Sequence, residues 1–223
     1  MNMILPAAAL AAIVAGGGWW FTKSQPDAST IQLNQIVQAA SEGSAEVDMS
    51  QVVEMTMGAV DAPVEVVEYA SYTCPHCASF HQNVFKQIKD NYIDTGKVRF
   101  TYREVYFDKY GMWASLIARC DESKFFGITD LIYKGQADWA RAGSDAAIAD
   151  ELRKIGLLAG LGAEQLDQCL SDGDKLRALV TWYQENATKD GIRSTPSFVI
   201  DGQTVSNMSY ADFSAELDKR LNQ

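Results

Sequence analysis

Two cysteines separated by two residues, Cys74-Pro75-His76-Cys77, stand between an apolar β-branched run and a stretch whose apolar positions recur every four residues. That setting constrains the chain more than any other feature. The preceding run "VEVVEY", Val64 to Tyr69, is short and reads as a strand buried on both faces. Downstream, Phe80, Val84, Ile88 and Tyr92 form the apolar stripe of an amphipathic helix. Then "KVRFTYREV" alternates Val98, Phe100 and Tyr102 against Arg99, Thr101 and Arg103, the period of a strand. Strand, helix, strand in this order implies a crossover between parallel neighbours.

From about Asp108 to Asp190 the period becomes helical throughout. Trp113, Leu116, Ile117 and Cys120 share one face; Ile148, Leu152 and Ile155 mark a second helix; Leu176, Leu179, Val180 and Tyr183 mark a third. Some eighty residues exceed what a crossover needs, so they read as an inserted helical subdomain. The sheet pattern returns in "PSFVIDGQTVS", where Asp201-Gly202 signals a tight hairpin. A Ser209/Asp212 capping pair opens a last amphipathic helix through Tyr210, Phe213, Leu217 and Leu221. With a first strand near "QVVEMTM", the architecture reads α/β: βαβ, an all-α insertion, then ββα.

A C-x-x-C pair can be redox-active, half of a zinc site or a short-loop disulfide. Haem attachment needs His directly after the second cysteine, where this chain has Ala78. Zinc would use Cys74, Cys77 and His81 but needs a fourth ligand, and Cys120 and Cys169 are isolated on apolar helical faces, so no metal site is expected. Position favours redox chemistry. Cys74 falls at a helix N-terminus, where unpaired N–H groups and the helix dipole stabilise an anion. Pro75 costs nothing in the first turn, and His76 adds a donor or a positive charge near the sulfur. A thiol pKa lowered by ~3 to 5 is worth ~4 to 7 kcal/mol. That energy favours the reduced form and raises the potential by roughly 90 to 150 mV. Such a pair oxidises other proteins through a mixed disulfide at Cys74 that Cys77 resolves. Glu68, in the buried strand six residues before Cys74, reads as proton acceptor for Cys77, with a strand-end Glu reaching solvent as the alternative. Thr195-Pro196 opens the returning strand, where a cis proline would present the Thr195 backbone to a substrate and an ordinary trans proline would not. His81 reads as a helix-surface histidine, and Met112 and Trp113 as core or the border of a groove.

The segments "VVEYASYTCPHCASFH" and "GIRSTPSFVIDG", with the helical insertion between them, resemble the DsbA-like thiol:disulfide oxidoreductases of the thioredoxin superfamily. The resemblance covers residues 51 to 223. It implies a thioredoxin fold over 51–108 and 191–223 with a helical insertion at 109–190. It implies Cys74 as nucleophile, Cys77 as resolving cysteine, Glu68 as buried acid and Pro196 as cis-proline, beside Pro75 and His76, read from their positions as tuners of the Cys74 pKa. Reduced exported proteins are the implied substrates and a DsbB-like quinone-linked membrane oxidase the implied partner. No cofactor is implied beyond the Cys74–Cys77 disulfide. Thr195 stands where the best-known oxidases of the family have Val, and it resembles other DsbA branches and the disulfide isomerases. An isomerase or reductase of the superfamily, or a redox-inert binding module on the same fold, are the alternative functions. Cys120 and Cys169 read as a structural disulfide between two helices of the insertion, which resembles a branch of the family with that extra bridge. Two free buried thiols are the other reading.

The first residues run apolar from Met3 to Phe21 with no charge before Lys23, so 1–21 reads as a signal peptide or N-terminal membrane anchor. Residues 22–50 read as a linker carrying one short helix, too short for a folded dimerisation domain, and a monomer is expected. Export places the rest in the periplasm, free or tethered through residues 3–21. A net charge of -10 disfavours nucleic acid as a partner.

Overall fold

The computed structural model describes residues 28–42 and 47–223; the apolar segment 1–21 lies outside them. A five-stranded sheet runs in the order β1-β3-β2-β4-β5, with β1 at Met55–Met57, β2 at Val64–Ala70, β3 at Val98–Glu104, β4 at Ser197–Ile200 and β5 at Gln203–Ser206. The central pair β2 and β3 is parallel, and Glu68 lies opposite Tyr102. The other pairings are antiparallel, with Glu68 opposite Phe198 across β2 and β4. Between β4 and β5, Asp201 and Gly202 both take positive φ, 46° and 80°. A two-residue turn of that kind matches strand twist, and Asp-Gly supplies it at little steric cost.

Helix α1 spans Ala28–Glu42. The crossover from β2 to β3 is helical from Pro75 to Ile93: α2 (Pro75–Phe80), a π-helical turn (His81–Phe85), α3 (Lys86–Ile88) and a second π-helical turn (Lys89–Ile93). Between β3 and β4 come α4 (Lys109–Ala118), α5 (Phe125–Lys134), α6 (Gln136–Trp139), α7 (Asp145–Leu158), α8 (Ala163–Leu170) and α9 (Gly173–Lys189). Helix α10 (Tyr210–Leu221) follows β5 and is capped by the Ser209 hydroxyl, which accepts from the Asp212 N–H. The fold is therefore a mixed α/β thioredoxin fold with helices inserted before β4.

The helical insertion is joined to the sheet by more than apolar packing. Glu104 at the end of β3 receives two hydrogen bonds from the Arg119 guanidinium, at 2.6 and 2.7 Å, and both side chains are buried. Ser115 donates to the same carboxylate, and Arg119 also donates to the Val53 carbonyl. A buried charge pair is kept only when its lone pairs and protons are nearly all used, and here they are. Leaving Glu104 without Arg119 would cost several kcal/mol, roughly 3 to 5.

Cys120 and Cys169 form a disulfide, with Cα atoms 5.5 Å apart. It ties the second residue after α4 to α8, within the insertion. The stretch read as a linker is partly packed: Leu33 and Ala40 of α1 are buried, and Asn34 donates to Asp145 of α7. Ile36 and Val37 pack on the same core. In the sequence Ile31, Ile36 and Val37 make only a weak apolar stripe; the buried Leu33, with Ile36 and Val37 packed on the core, gives α1 its buried face.

Candidate active site

Local chemistry places Cys74 at the head of α2. It is the N-cap residue, with extended backbone angles, and Pro75 occupies the first helical turn. Its N–H donates to the Ser71 carbonyl at 3.1 Å, and its carbonyl accepts from the Ala78 N–H. The Gln136 side chain in α6 donates to the carbonyls of Tyr72 and Cys74, at 2.7 and 2.9 Å. One residue earlier, Thr73 donates to Asp108, the N-cap of α4. Side chains of the insertion and of its first helix cap therefore hold the cysteine turn.

The two sulfurs differ sharply. Cys74 is lowered from 9.0 to about 5, first by hydrogen bonding from the Cys77 side chain, against the opposing effect of burial. Hydrogen bonding from Thr195 and from the backbone N–H groups of Cys77 and His76 adds to it. His76 acts here through its backbone, while its ring stands exposed at the surface. Cys77 is fully buried, and desolvation, then Cys74 and the Glu68 charge, push its thiol far up. One sulfur is thus a thiolate at neutral pH and the other a thiol.

The Thr195-Pro196 peptide bond is cis, and the Thr195 carbonyl oxygen lies 3.4 Å from Cys74 Sγ. The structure thus brings Thr195, 121 residues away in sequence, to the nucleophile, with the cis bond to Pro196 following it. A cleft of about 390 Å³ opens beside Pro75, walled by Tyr110 and Arg141. Met112 and Trp113 do not border it; both are buried in the core.

Glu68 is fully buried beneath the motif, so its carboxylate does not reach solvent. Its partner is His81, whose Nε2 lies 3.1 and 2.8 Å from the two carboxylate oxygens. The reading of His81 as a surface histidine is therefore corrected: it is 5% exposed. Helical geometry explains this, because residue 81 is four beyond Cys77 and shares its sheet-facing side. The concentration of both histidines within thirteen residues was the available signal. For Gln136 and Asp108 no sequence signal existed, since each acts across a long interval. Among the described residues no group of three or more His, Cys, Asp or Glu side chains is placed to hold a metal ion.

Known proteins resemble the chain in sequence and in fold. A family model described as Thioredoxin matches residues 50–219. A Rickettsia bellii protein named as a protein-disulfide oxidoreductase is 34% identical over 172 residues, which is 76% of this chain and 65% of the relative's length. The chain belongs to the DsbA-like thioredoxin family. Disulfide bond formation protein D of Bacillus subtilis is 26% identical over 74% of this chain and 76% of its own length. The crystal structure of Wolbachia pipientis alpha-DsbA1 superposes with a TM-score of 0.70 at 27% identity, covering 76% of this chain and 91% of that one.

Proposed function

We propose that this protein is a thiol:disulfide oxidoreductase that introduces disulfide bonds into exported proteins through Cys74 and Cys77. The observation that carries this reading is the Cys74 thiolate, lowered to about 5 beside a buried Cys77 thiol. A thiolate that stable is a good leaving group, so the Cys74–Cys77 disulfide passes readily to other thiols. A substrate thiolate attacks Cys74 Sγ, the Cys74–Cys77 bond breaks, and its electron pair goes to Cys77, which takes up a proton. A second substrate thiolate then attacks the substrate sulfur of the mixed disulfide and releases Cys74 as thiolate. The substrate leaves oxidised by two electrons and the enzyme is left as a dithiol. The carrier in this reading is the disulfide itself, with no added cofactor. Thr195 and Pro196 would present backbone to the substrate chain beside Cys74, Glu68 would exchange the Cys77 proton, and the Cys120–Cys169 disulfide would be structural.

The reading extends to the surroundings of the protein. We place it in the periplasm as a monomer, reoxidised by a DsbB-like quinone-linked membrane oxidase and tethered or delivered by residues 3–21. Among the described residues no helix is long and apolar enough to cross a membrane. The test is oxidative refolding of a reduced secreted protein. Wild type should restore its disulfides and Cys74→Ser should do nothing, while Cys77→Ser, offered the oxidised substrate, should accumulate a mixed disulfide visible by mass spectrometry as Cys74 attacks the substrate disulfide and no Cys77 thiol resolves it. Ordinary activity in the Cys74→Ser variant would refute the assignment. Faster recovery of a scrambled substrate than of a reduced one would support the isomerase alternative.

A further inference from the structure

The oxidase reading gives Cys77 its proton through Glu68 but leaves the source of that proton open. When Cys77 leaves the disulfide it does so as a thiolate in a buried place, and it needs a proton there. Burial makes a charged sulfur costly. Glu68 is the neighbouring acid, but a buried carboxylate without a cation or a proton is itself costly, so something must load it.

We infer that His81 is a positioning residue that holds Glu68 in place and supplies it with the proton passed to Cys77. The inference rests on the oxidase reading and on four observations. Nε2 of His81 reaches both carboxylate oxygens, at 3.1 and 2.8 Å, and both side chains are buried. The imidazole is fixed by stacking on Tyr133, with ring centroids 4.3 Å apart and planes inclined by 20°. Phe80 and Tyr102 meet its ring edge-on, at 5.7 and 5.8 Å. His81 also opens the π-helical turn that follows α2, a local widening that recurs at functional sites.

The ionisable groups around the pair are few. Tyr102 of β3 and Tyr133 of α5 donate or accept between their own hydroxyls at 2.7 Å, and burial keeps both phenols neutral. From α2 the neighbour is Cys77. Farther along β3, Glu104 is already held by Arg119. From β4 and α10 the rings of Phe198 and Phe213 pack on Phe80. His81 is thus the basic side chain that meets Glu68 among the described residues.

The step balances as follows. A substrate thiolate forms a bond to Cys74 Sγ, and the Cys74–Cys77 bond breaks with its electron pair on Cys77 Sγ. Cys77 Sγ takes a proton through the Glu68 carboxylate, which receives the Nε2 proton of the His81 imidazolium as it passes one on, so Glu68 ends as the carboxylate it began as and His81 ends neutral. Neutral His81 then regains a proton from solvent before the next turnover.

The test follows the first step of peptide oxidation by stopped-flow fluorescence from pH 5 to 9.5, with the rate divided by the peptide's thiolate fraction. Wild type should show a corrected rate that still falls with rising pH. His81→Gln should lower that rate at neutral pH by about 100-fold, the ordinary worth of a general acid, and flatten the profile. Glu68→Gln should do the same, and the double variant should be no slower than either single one. The double variant carries no unpaired buried charge and keeps the hydrogen bond, so it guards against loss of folding in His81→Gln. Wild-type rate and profile in the double variant, or single effects that multiply in it, would overturn the inference. A wild-type protein that does not oxidise the peptide at all would instead refute the oxidase reading.

Discussion

Replacing Cys77 with Ala removes the hydrogen-bond donor that contributes most to the ionisation of Cys74. The drop from 9.0 to about 5 corresponds to about 5 kcal/mol of preference for the thiolate. A hydrogen bond to a charged group is worth roughly 1.5 to 3 kcal/mol, so Cys77→Ala should raise the Cys74 midpoint by roughly 1 to 2 pH units, to between about 6 and 7. In Cys77→Ser the hydroxyl still donates, and the midpoint should stay closer to 5. Thiolate absorbance at 240 nm, titrated from pH 3 to 9, reads both variants directly. The pH dependence of alkylation by iodoacetamide gives an independent midpoint. If Cys77→Ala titrates where Cys77→Ser does, the donor is not what holds the thiolate, and helix-end N–H groups must carry the whole effect. A midpoint near 9 in the serine variant would refute the argument altogether.

Three further outcomes follow from the same structure. The Cys74 pKa is depressed on folding, so its stabilisation of the reduced protein is complete above pH 9 and lost as pH falls towards 5. Chemical denaturation of the reduced form should therefore show roughly 2 kcal/mol more loss than Cys74→Ser between pH 7 and 5, and an equal loss in both would contradict the shift. Replacing both Cys120 and Cys169 with Ser opens a loop spanning 49 residues and should cost roughly 3 to 4 kcal/mol in denaturant titrations; activity per folded molecule should hold, and its disappearance would make that pair catalytic. Gln136→Leu removes the donor to the Tyr72 and Cys74 carbonyls and leaves both partly unsatisfied. It should cost about 1 to 3 kcal/mol and slow mixed-disulfide formation, whereas an unchanged melting temperature would show that water replaces the bond.

Much of this arrangement is visible in the chain before any folding. The β2, α2 and β3 succession follows from local periods, and Asp201-Gly202 announces its hairpin through residues adjacent in sequence. Cys74 at a helix head needs only the Pro75 rule and the preceding apolar run. What sequence hides is interaction across long intervals. The Gln136 amide reaches Cys74 from 62 residues away, and nothing in its neighbours marks it. His81 misleads for a subtler reason. Its polarity suggests solvent, while its spacing from Cys77 puts it on the sheet side, and the buried carboxylate of Glu68 decides between the two. Likewise α1 reads as weakly amphipathic because its burial depends on Leu33 and on the surface it meets, which no local pattern contains.

The claim at the centre of this account is that a stabilised Cys74 thiolate makes the Cys74–Cys77 disulfide a strong oxidant. Its reduction potential measures that claim most directly, by equilibration with glutathione at pH 7 and mass-spectrometric counting of the reduced pair, with Cys120 and Cys169 assigned separately. A value well above about -180 mV, towards the ~-120 mV of strongly oxidising catalysts, is the predicted result. A value near about -270 mV would contradict the account and make the protein a reductase.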